Sequence, residues 1–501
     1  MTRSPLTCLL PLCFCLLAVG CVTTEVDPAE NNPNLNNRVQ PDIGLPDFGT
    51  DAGEDLLDDA TPEDASADTR GEDAAEDDSD DSVSLDMSAD AAQDEEVDQP
   101  TLSQCEQDLS VGTQIQIDTS GNVPQYYART AFDGKGVWVT YARRRAQGAS
   151  HLDIYASHYN CGGVQDVAPV LLSTTQGTTS HMQPIVTVSD QRAMFTWLSE
   201  DRSTNTWSVR MRTLDPSGAP TTNASFDVTP KAGNGQNISQ LIWELDAAPL
   251  SGGKQVLTAS YYDMAAGAFQ VVANRVGFDG ALIGGNMFPK IDKAVSQGDP
   301  TVGTDDQDNV YIAYTRATKQ GPSPANEGDI VYTRFLTGAD TPESPTPFAA
   351  NPASSDDGHL ARYSKDRVPG QELYLSFMTQ DNDDILVKDG NINASLSVAS
   401  FGGGGYDSRP STAAKAGGGA VAWLKATTSL QNHDLYVAPF GFANNILSKG
   451  PFQRISLSDP ARTAGDIGTD ITHVAGDTYF VTWVEGPSAA TTVVKGLFVQ
   501  F

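Results

Sequence analysis

Positive charge is scarce in this chain. Its 501 residues include 31 Lys and Arg against 65 Asp and Glu, which gives a formal net charge of -34. Nucleic-acid binding needs clustered Lys and Arg side chains that neutralise phosphates. The composition therefore argues against nucleic acid as a partner. The acidic excess is concentrated in residues 51–100, which hold 21 acidic residues and one basic residue, Arg70.

Motifs that hold metals, cofactors or phosphates are also missing. The six His residues show no His-Glu-x-x-His spacing, and the chain has no Gly-x-Ser-x-Gly motif and no phosphate-binding loop. The acidic stretch 305–308 lacks the downstream Glu of a calcium loop, so we interpret it as a turn. The sequence thus predicts no metal, no cofactor and no catalytic residue. An enzyme whose carboxylates meet only in the folded structure is left open.

The apolar run at residues 6–19 follows Arg3 and is shorter than the ~20 residues that a membrane-spanning helix needs. It is typical of a cleaved signal peptide, which we place at residues 1–20. Residues 17–20 and Cys21 resemble a bacterial lipobox, although Ala18 stands where Leu is usual. The resemblance implies that Cys21 is lipid-modified and anchors the protein to the bacterial envelope. An ordinary secretory signal with an incidental Cys is the alternative.

Residues 21–104 form an acidic segment rich in Asp, Glu, Ala, Ser, Asn and Pro, with no aromatic residue after Phe48. Such a composition cannot bury enough apolar area to offset the entropy of ordering, so we predict a disordered linker. About 80 residues of flexible chain span roughly 50 Å. The linker would hold a folded domain away from the membrane. Val22 is compatible with sorting to the outer membrane, with the protein periplasmic or surface-exposed.

Cysteine is rare outside the first 21 residues. Only Cys105 and Cys161 remain once the signal peptide and the lipidated Cys are set aside. In an exported protein, such a pair is expected to form a disulfide. Two unpaired buried thiols are the alternative.

Seven apolar runs, each followed by a polar loop and another strand-like run, divide the rest of the chain into repeats. Each apolar run is also preceded by a strand-like stretch and a tight turn, as in the hairpins of an antiparallel sheet, and a weaker fourth strand follows most repeats. The anchoring aromatic residues are Tyr141, Trp197, Tyr261, Tyr314, Phe377, Trp423 and Trp483.

Four strands in each repeat of 46–64 residues are typical of β-propeller blades. One small sheet cannot cover both of its faces, so blades pack around an axis with aromatic side chains between them. We predict an all-β domain at residues 105–501 with seven four-stranded antiparallel blades. The strand at 113–118 would complete the last blade beside 492–501 and close the ring. A pair of β-sandwiches, or a ring of six or eight blades, is the alternative.

The order of an aromatic-ending strand followed by a strand such as Asp329-Ile330-Val331-Tyr332 resembles the sialidase-like propellers of exported bacterial lipoproteins. The resemblance covers residues ~110–501 and implies fold rather than chemistry. The Ser-x-Asp-x-Gly-x-x-Trp box of sialidases is absent from every repeat, and residues 408–410 match their arginine-containing motif only faintly. No catalytic residue is therefore carried over.

The loops between the second and third strands vary most in length and composition, and such variation concentrates where function is carried. We predict that their face of the propeller binds a ligand, with a solvated rim as the alternative. The candidate residues are Arg143, Arg145, His151, Glu200, Arg202, Trp207, Arg316, Lys319, Lys425, His433 and Glu485.

Together these features predict a monomeric, lipid-anchored binding or scaffold protein of the cell envelope. Its partner would be a glycan, a peptide or an envelope protein. One alternative is an exported glycan-active enzyme, a hydrolase or lyase, with its site at the mouth of the propeller channel. Another is a structural envelope component without a small ligand.

Overall fold

The computed structural model describes most of the chain beyond residue 104 as β-strands joined by turns and loops. The described residues are 105, 109, 111–119, 123–147, 149–173, 177–231, 238, 241–289, 295–318, 329–344, 346–347, 358–364, 366, 373–379, 385–389, 395–399, 410–426, 433–455, 469–486 and 491–501. The predicted signal peptide, Cys21 and the acidic linker lie outside this part of the chain. Among the described residues, no helix is long and apolar enough to cross a membrane.

The strands form antiparallel sheets, numbered here in chain order. Sheet 1 consists of β2 (Gln125–Phe132), β3 (Gly136–Arg144), β4 (Leu152–Asn160) and β5 (Gln165–Leu171). Sheet 2 consists of β6 (Thr179–Ser189), β7 (Arg192–Asp201), β8 (Thr206–Leu214) and β9 (Phe226–Asp227). Sheet 3 consists of β10 (Ile242–Leu250), β11 (Lys254–Asp263), β12 (Ala268–Gly277) and β13 (Leu282–Met287).

The remaining sheets follow the same order of strands. Sheets 4 to 7 consist of β14 (Val295–Thr304), β15 (Val310–Thr318), β16 (Asp329–Phe335) and β17 (Thr346–Pro347); of β18 (Gly358–Tyr363), β19 (Tyr374–Thr379), β20 (Ile385–Asp389) and β21 (Ser395–Ala399); of β22 (Ser411–Lys415), β23 (Gly418–Ala426), β24 (His433–Ala443), β25 (Ile446–Lys449) and β26 (Gln453–Ile455); and of β27 (Asp470–Ala475), β28 (Thr478–Glu485), β29 (Val493–Gln500) and β1 (Ile115–Gln116).

The first strand of each sheet after β1 is its inner strand: β2, β6, β10, β14, β18, β22 and β27. Each inner strand contacts the next one along the chain, and β27 contacts β2. Sheets arranged in such a closed ring form a propeller, so the prediction of an all-β propeller is confirmed.

The chain's first described strand completes the last sheet. Ile115 and Gln116 of β1 pair with Gly496 and Lys495 of β29, and Val111 bridges to Phe498. This is the pairing predicted for residues 113–118. It covers part of the outer edge of β29, where the first and last described strands meet.

The prediction of four strands in every blade is wrong for sheet 6, which has five, whereas six sheets have four. Pro439 divides the outer edge of the long strand β24. On one side of Pro439, residues 435–437 pair with β26, and on the other side residues 440–443 pair with β25. Proline lacks the N–H that a continuous ladder would use, so two short strands replace one.

The predicted aromatic anchors lie in the second strand of each sheet. Those whose side chains are described, Tyr141, Trp197, Tyr261, Tyr314, Trp423 and Trp483, are at most 2% exposed. Tyr141, Trp197, Tyr261, Tyr314 and Trp483 belong to apolar clusters that join neighbouring sheets. The cluster of Trp197 in sheet 2, for example, also contains Trp138 of sheet 1. Replacing such a side chain with Ala typically costs about 3–5 kcal/mol. The core therefore lies between the sheets, as predicted.

The predicted disulfide is confirmed between Cys105 and Cys161, whose Cα atoms are 5.1 Å apart. Both residues are buried in one apolar cluster. It also contains Ile117, which follows β1, Val137 of sheet 1 and Phe498 of sheet 7. The bond joins two residues that are 56 positions apart in the sequence. In the chain-entropy account a loop of this length contributes roughly 4 kcal/mol. The disulfide thus fastens the N-terminal segment where the ring closes.

Candidate functional site

The strand register places the predicted binding residues at one end of the propeller. Arg143, near the end of β3, pairs with Gln125 at the start of β2 and with Asp153 at the start of β4. Glu200 of β7 likewise pairs with Ser180 of β6 and Trp207 of β8. We call this end, which carries the β3–β4 and β7–β8 loops, the loop face. The opposite end is the turn face.

Arg143 of the loop face holds the N-terminal segment. Its guanidinium lies 2.7 Å from the Asp118 carboxylate and 3.7 Å from the ring centre of Tyr155. The Tyr141 hydroxyl donates to the same carboxylate at 2.9 Å. Burial, followed by the charge of Asp118, raises the pKa of Tyr141, so this hydroxyl stays protonated as a donor. These contacts give Arg143 a role in ring closure.

Arg145 joins sheet 1 to sheet 2. Its Nε donates to Asp153 at 3.0 Å, and its terminal nitrogens donate to the carbonyls of Gly177 and Thr179 at 2.8 and 2.6 Å. The guanidinium thereby satisfies carbonyl groups in the connection between the sheets. His151 is half-buried in the same loop, with Nδ1 3.4 Å from the Ser150 hydroxyl.

The other predicted residues are distributed over four sheets. In sheet 2, Arg202 Nε donates to the buried Glu200 at 3.1 Å. In sheet 7, the buried Glu485 accepts from Trp483 Nε1 at 2.9 Å and forms an ion pair with Lys495.

Two further predicted residues sit in the strand ladders. Arg316 pairs with Asp329 in sheet 4, and Lys425 pairs with Asp434 in sheet 6. Lys319 and the side chain of His433 lie outside the described residues. The fold therefore does not bring the predicted set into a single constellation. Binding at these residues stays a prediction.

A groove of 510 Å³ lies beside strand β8 of sheet 2. We call it the β8 groove. Trp207 is the one residue of the predicted set that lines it. The lining residues are Thr179, Ser199, Asp201, Thr206, Trp207, Ser208, Arg210, Asp227, Thr229 and Ile238.

Alternation along the strands brings polar groups together in this groove. Asp201 pairs with Thr206, Ser199 with Ser208, and Arg210 with Asp227. Residues directly opposite each other on antiparallel strands project to the same side of a sheet. The sequence analysis missed this set of residues. Polar residues alternate along β8, but that stretch was interpreted only as one strand of a repeat.

The charged groups of the β8 groove differ in how they are held. Asp201 accepts hydrogen bonds from the Ser203 hydroxyl and N–H, which lower the pKa of its carboxyl. Asp227 accepts from Thr229 through one oxygen, and its other oxygen lies 3.9 Å from an Arg210 nitrogen. Arg210 Nε has no hydrogen-bond partner among the described residues. Nε is itself buried, but the terminal nitrogen that lies 3.9 Å from Asp227 can bind a ligand without losing a strong internal contact.

A second cavity, of 210 Å³, lies on the propeller axis toward the turn face. We call it the axial cavity. Inner strands of four sheets and one connecting residue enclose it. Its lining residues are Thr130, Ala131, Phe132, Val186, Thr187, Val188, Pro249, Asp366, Thr472 and His473.

Asp366 is the carboxyl of the axial cavity. Its oxygens accept from the N–H of Ala414 at 3.0 Å, the hydroxyl of Thr472 at 2.9 Å and the N–H of His473 at 3.3 Å. Burial raises the pKa of Asp366 to about 7, and these three donors oppose the rise. Burial also lowers the pKa of His473, which favours its neutral form. No sequence motif marks Asp366, because its partners lie 48 and 106 residues further along the chain.

The part of the chain that the structure describes contains no group of three His, Cys, Asp or Glu residues that could hold a metal ion. The acidic stretch at 305–308 is a turn: Asp305 Oδ1 accepts from the N–H groups of Gln307 and Asn309 at 3.0 and 2.9 Å. Side-chain oxygens that bond their own backbone in this way stabilise turns.

No known protein family and no curated protein matches the chain. Several solved structures are similar. A protein of unknown function from Dyadobacter fermentans has a TM-score of 0.46 and 8% identity over 78% of this chain and 98% of its own. An ulvan lyase of a polysaccharide lyase family has a TM-score of 0.48 and 10% identity over 76% and 95% of the two chains. An α-L-arabinanase from Penicillium chrysogenum has a TM-score of 0.43 and 12% identity over 78% and 98%.

Proposed function

We propose that the protein is a lipid-anchored binding protein of the bacterial envelope whose propeller binds a glycan in the β8 groove. The observation that carries the proposal is the groove itself. It combines a guanidinium, two carboxylates and several hydroxyl groups at the loop face, where binding is expected.

The chemistry of the groove suits a polyhydroxylated ligand. A sugar hydroxyl both donates and accepts hydrogen bonds, so it can donate to Asp201 or Asp227 and accept from Arg210. The hydroxyls of Ser199 and Ser208 form no hydrogen bond with other described side chains and are available in the same way. Small-ligand sites are typically concave, with a few convergent polar groups that fix the ligand's orientation.

The arrangement around the axis supports binding over the enzyme alternative. A glycosidase needs a pair of carboxyl groups at the reacting bond. Asp366 and Asp470, the carboxylates nearest the axial cavity, both accept hydrogen bonds from main-chain N–H groups of other strands. These hydrogen bonds hold both carboxyl groups between strands of the ring, a structural role that agrees with the binding proposal.

The finer architecture completes this proposal. We take the five-stranded sheet 6 as a seventh blade beside the six four-stranded ones, with β1 closing the ring. Cys21 carries the lipid, and residues 21–104 act as a flexible acidic spacer. Lipid chains contribute about 0.8 kcal/mol per buried methylene, so a diacylated Cys21 holds the protein firmly in a membrane.

A glycan array probed with the full-length protein in detergent tests the function. Retained glycans are then titrated against Arg210→Gln and, as the control, Arg192→Gln, which changes an arginine at the turn-face end of the same sheet. Hydrogen bonds to charged groups contribute about 1.5–3 kcal/mol, so Arg210→Gln should weaken binding roughly 10- to 100-fold while the control binds normally. Equal binding by both variants would place the site elsewhere. Turnover of any glycan by the wild-type protein would favour the enzyme instead.

A further inference from the structure

Exposed apolar side chains are concentrated at one end of the propeller. Among the described residues, large apolar side chains with exposed fractions between 37% and 66% include Val164, Phe278, Leu282, Leu336 and Ile446. All of these lie in or beside the turns that join the third and fourth strands of sheets 1, 3, 4 and 6. We call this set the apolar rim. Single exposed apolar residues need no explanation, but a set that recurs at the same place in several sheets indicates a contact surface.

The strand register places these turns at the turn face. In sheet 1, the third strand ends at Asn160, which pairs with Gly136 at the start of the second strand. In sheet 3, Gly277 pairs in the same way with Lys254. Sheets 4 and 6 share this register. The second strands begin at the short turns of the turn face, so the apolar rim and the β8 groove lie at opposite ends of the propeller.

The turns that carry the rim satisfy backbone groups internally. In sheet 1, the N–H of Gly163 donates to the Asn160 carbonyl at 2.9 Å, and the N–H of Val164 donates to the Asn160 side chain at 3.0 Å. In sheet 4, the N–H of Ala339 donates to the Leu336 carbonyl at 2.9 Å. An apolar medium penalises unsatisfied N–H groups, so turns with internal hydrogen bonds enter it at lower cost.

Charge on the turn face is mixed. Arg192 lies over the ring of Phe278, with its guanidinium carbon 4.0 Å from the ring centre. Such a pair suits the boundary of a bilayer, where a phosphate accepts from the guanidinium and the ring contacts the acyl region. Neighbouring turns also carry exposed carboxylates such as Asp190 and Asp279. The rim therefore fits a zwitterionic lipid surface better than a strongly anionic one.

The predicted linker joins the folded domain at this rim. The disulfide holds Cys105 to Cys161, which lies in the same β4–β5 turn as Val164. The chain that leads to Cys21 therefore reaches the propeller on the turn face rather than the loop face. A flexible tether raises the effective concentration of the rim near the membrane, so weak contacts are enough for docking.

We propose that the turn face docks on the lipid surface to which Cys21 anchors the protein, with the apolar rim at the boundary between headgroups and acyl chains. This docking rests on the lipid anchor of the proposed function. The loop face, with the β8 groove, is then directed away from the membrane. Because the docking is weak and depends on the tether, loss of the lipid still releases the protein.

Ser217 and Ser203 are a matched pair of positions for a fluorescent label. Both are exposed, and each hydroxyl donates to an aspartate two residues earlier. Ser203 precedes β8 at the loop face, and Ser217 follows β8 at the turn face. This strand has nine residues, so its ends are about 30 Å apart at roughly 3.3 Å per residue. A contact quencher in the bilayer therefore distinguishes the two faces.

Quenching by nitroxide-labelled lipid tests the docking. The full-length lipidated protein, labelled at Ser217→Cys or Ser203→Cys, is placed in phosphatidylcholine vesicles that contain the nitroxide lipid. The nitroxide should quench the Ser217→Cys label several-fold more than the Ser203→Cys label. Equal quenching of the two labels would refute the docking and leave the anchor intact. Protein that fails to attach to the vesicles would refute the lipid anchor, and with it the docking.

Two sets of substitutions locate the docking surface. The rim set is Val164→Ser, Leu336→Ser and Ile446→Ser in one protein, and it should make quenching of the two labels equal. The matched control set changes apolar residues that are 44%, 57% and 55% exposed outside the rim: Leu171→Ser, Met264→Ser and Phe452→Ser. The control should keep the difference between the labels, and both sets should fold because they change exposed side chains. The same effect from both sets would overturn the assignment of the rim. A dimer in sedimentation that only the rim set abolishes would assign the rim to a second copy of the chain instead of lipid.

Discussion

The ion pair of Asp118 and Arg143 should be essential for closing the propeller ring. Asp118 follows β1, and its side chain is fully buried. Its carboxylate accepts from Arg143 and Tyr141, while its carbonyl accepts from Gln125 Nε2 at 3.1 Å. Gln125 Oε1 in turn accepts from the N–H of Val494 in sheet 7 at 2.8 Å. The first and last sheets thus meet around one carboxylate.

The expected energies follow from burial. Removing one partner of a buried ion pair typically costs 3–5 kcal/mol, because the other charge is left uncompensated. The Arg143 side chain keeps 17% exposure, so we expect about 3 kcal/mol for Asp118→Asn and for Arg143→Met. The double variant leaves no uncompensated charge. It should cost about 2 kcal/mol less than the sum of the two single changes, within the range usual for contacting residues.

Urea denaturation of the two single variants, the double variant and an Asp190→Asn control measures these energies. Asp190 is an exposed carboxyl in the β6–β7 turn, so its substitution should change the free energy of unfolding by less than about 0.5 kcal/mol. Additive costs for Asp118→Asn and Arg143→Met would refute the reasoning. In that case Arg143 would be free to serve the loop face as a ligand-binding residue.

Three further predictions concern other parts of the molecule. His158 Nε2 lies 3.2 Å from Asp133, and Nδ1 lies 2.6 Å from Asp166. Burial lowers the pKa of His158, but Asp133 and then Asp166 outweigh burial and raise it. This stabilisation is therefore complete below the unfolded pKa of about 6.5 and is lost as pH rises through the higher folded value. Melting temperatures against pH should show that loss in the wild-type protein and not in His158→Gln, and parallel curves would contradict it. Replacing Cys105 and Cys161 with Ser should lower the free energy of unfolding by about 2–5 kcal/mol, and an unchanged urea midpoint would argue against a stabilising disulfide. Cys21→Ala should move the protein from the membrane to the soluble fraction on cell fractionation; continued membrane partition would exclude anchoring through Cys21.

Most of the fold could be predicted from the sequence because it depends on local pattern. Strands such as β3 and β28 are short apolar runs that end near an aromatic residue and follow a tight turn, and both features are visible along the chain. Closure by β1 was predictable as well, since a final repeat with three strands needs one more. The fifth strand of sheet 6 was missed because the effect of Pro439 depends on where it falls in the ladder between β24 and its outer neighbours.

The candidate sites were less predictable, since they depend on which way side chains point on the inner strands. Bulges interrupt β2 between Tyr126 and Arg129, and β6 between Met182 and Ile185. Tyr127 and Gln183 lie inside these bulges and have φ values of 56° and 50°. Residues other than Gly, Asn and Asp rarely adopt this backbone conformation. An extra residue in a strand reverses the faces of all the side chains beyond it. Which face the residues beyond these bulges occupy therefore depends on backbone geometry that apolar alternation does not encode, so the sequence could not predict it.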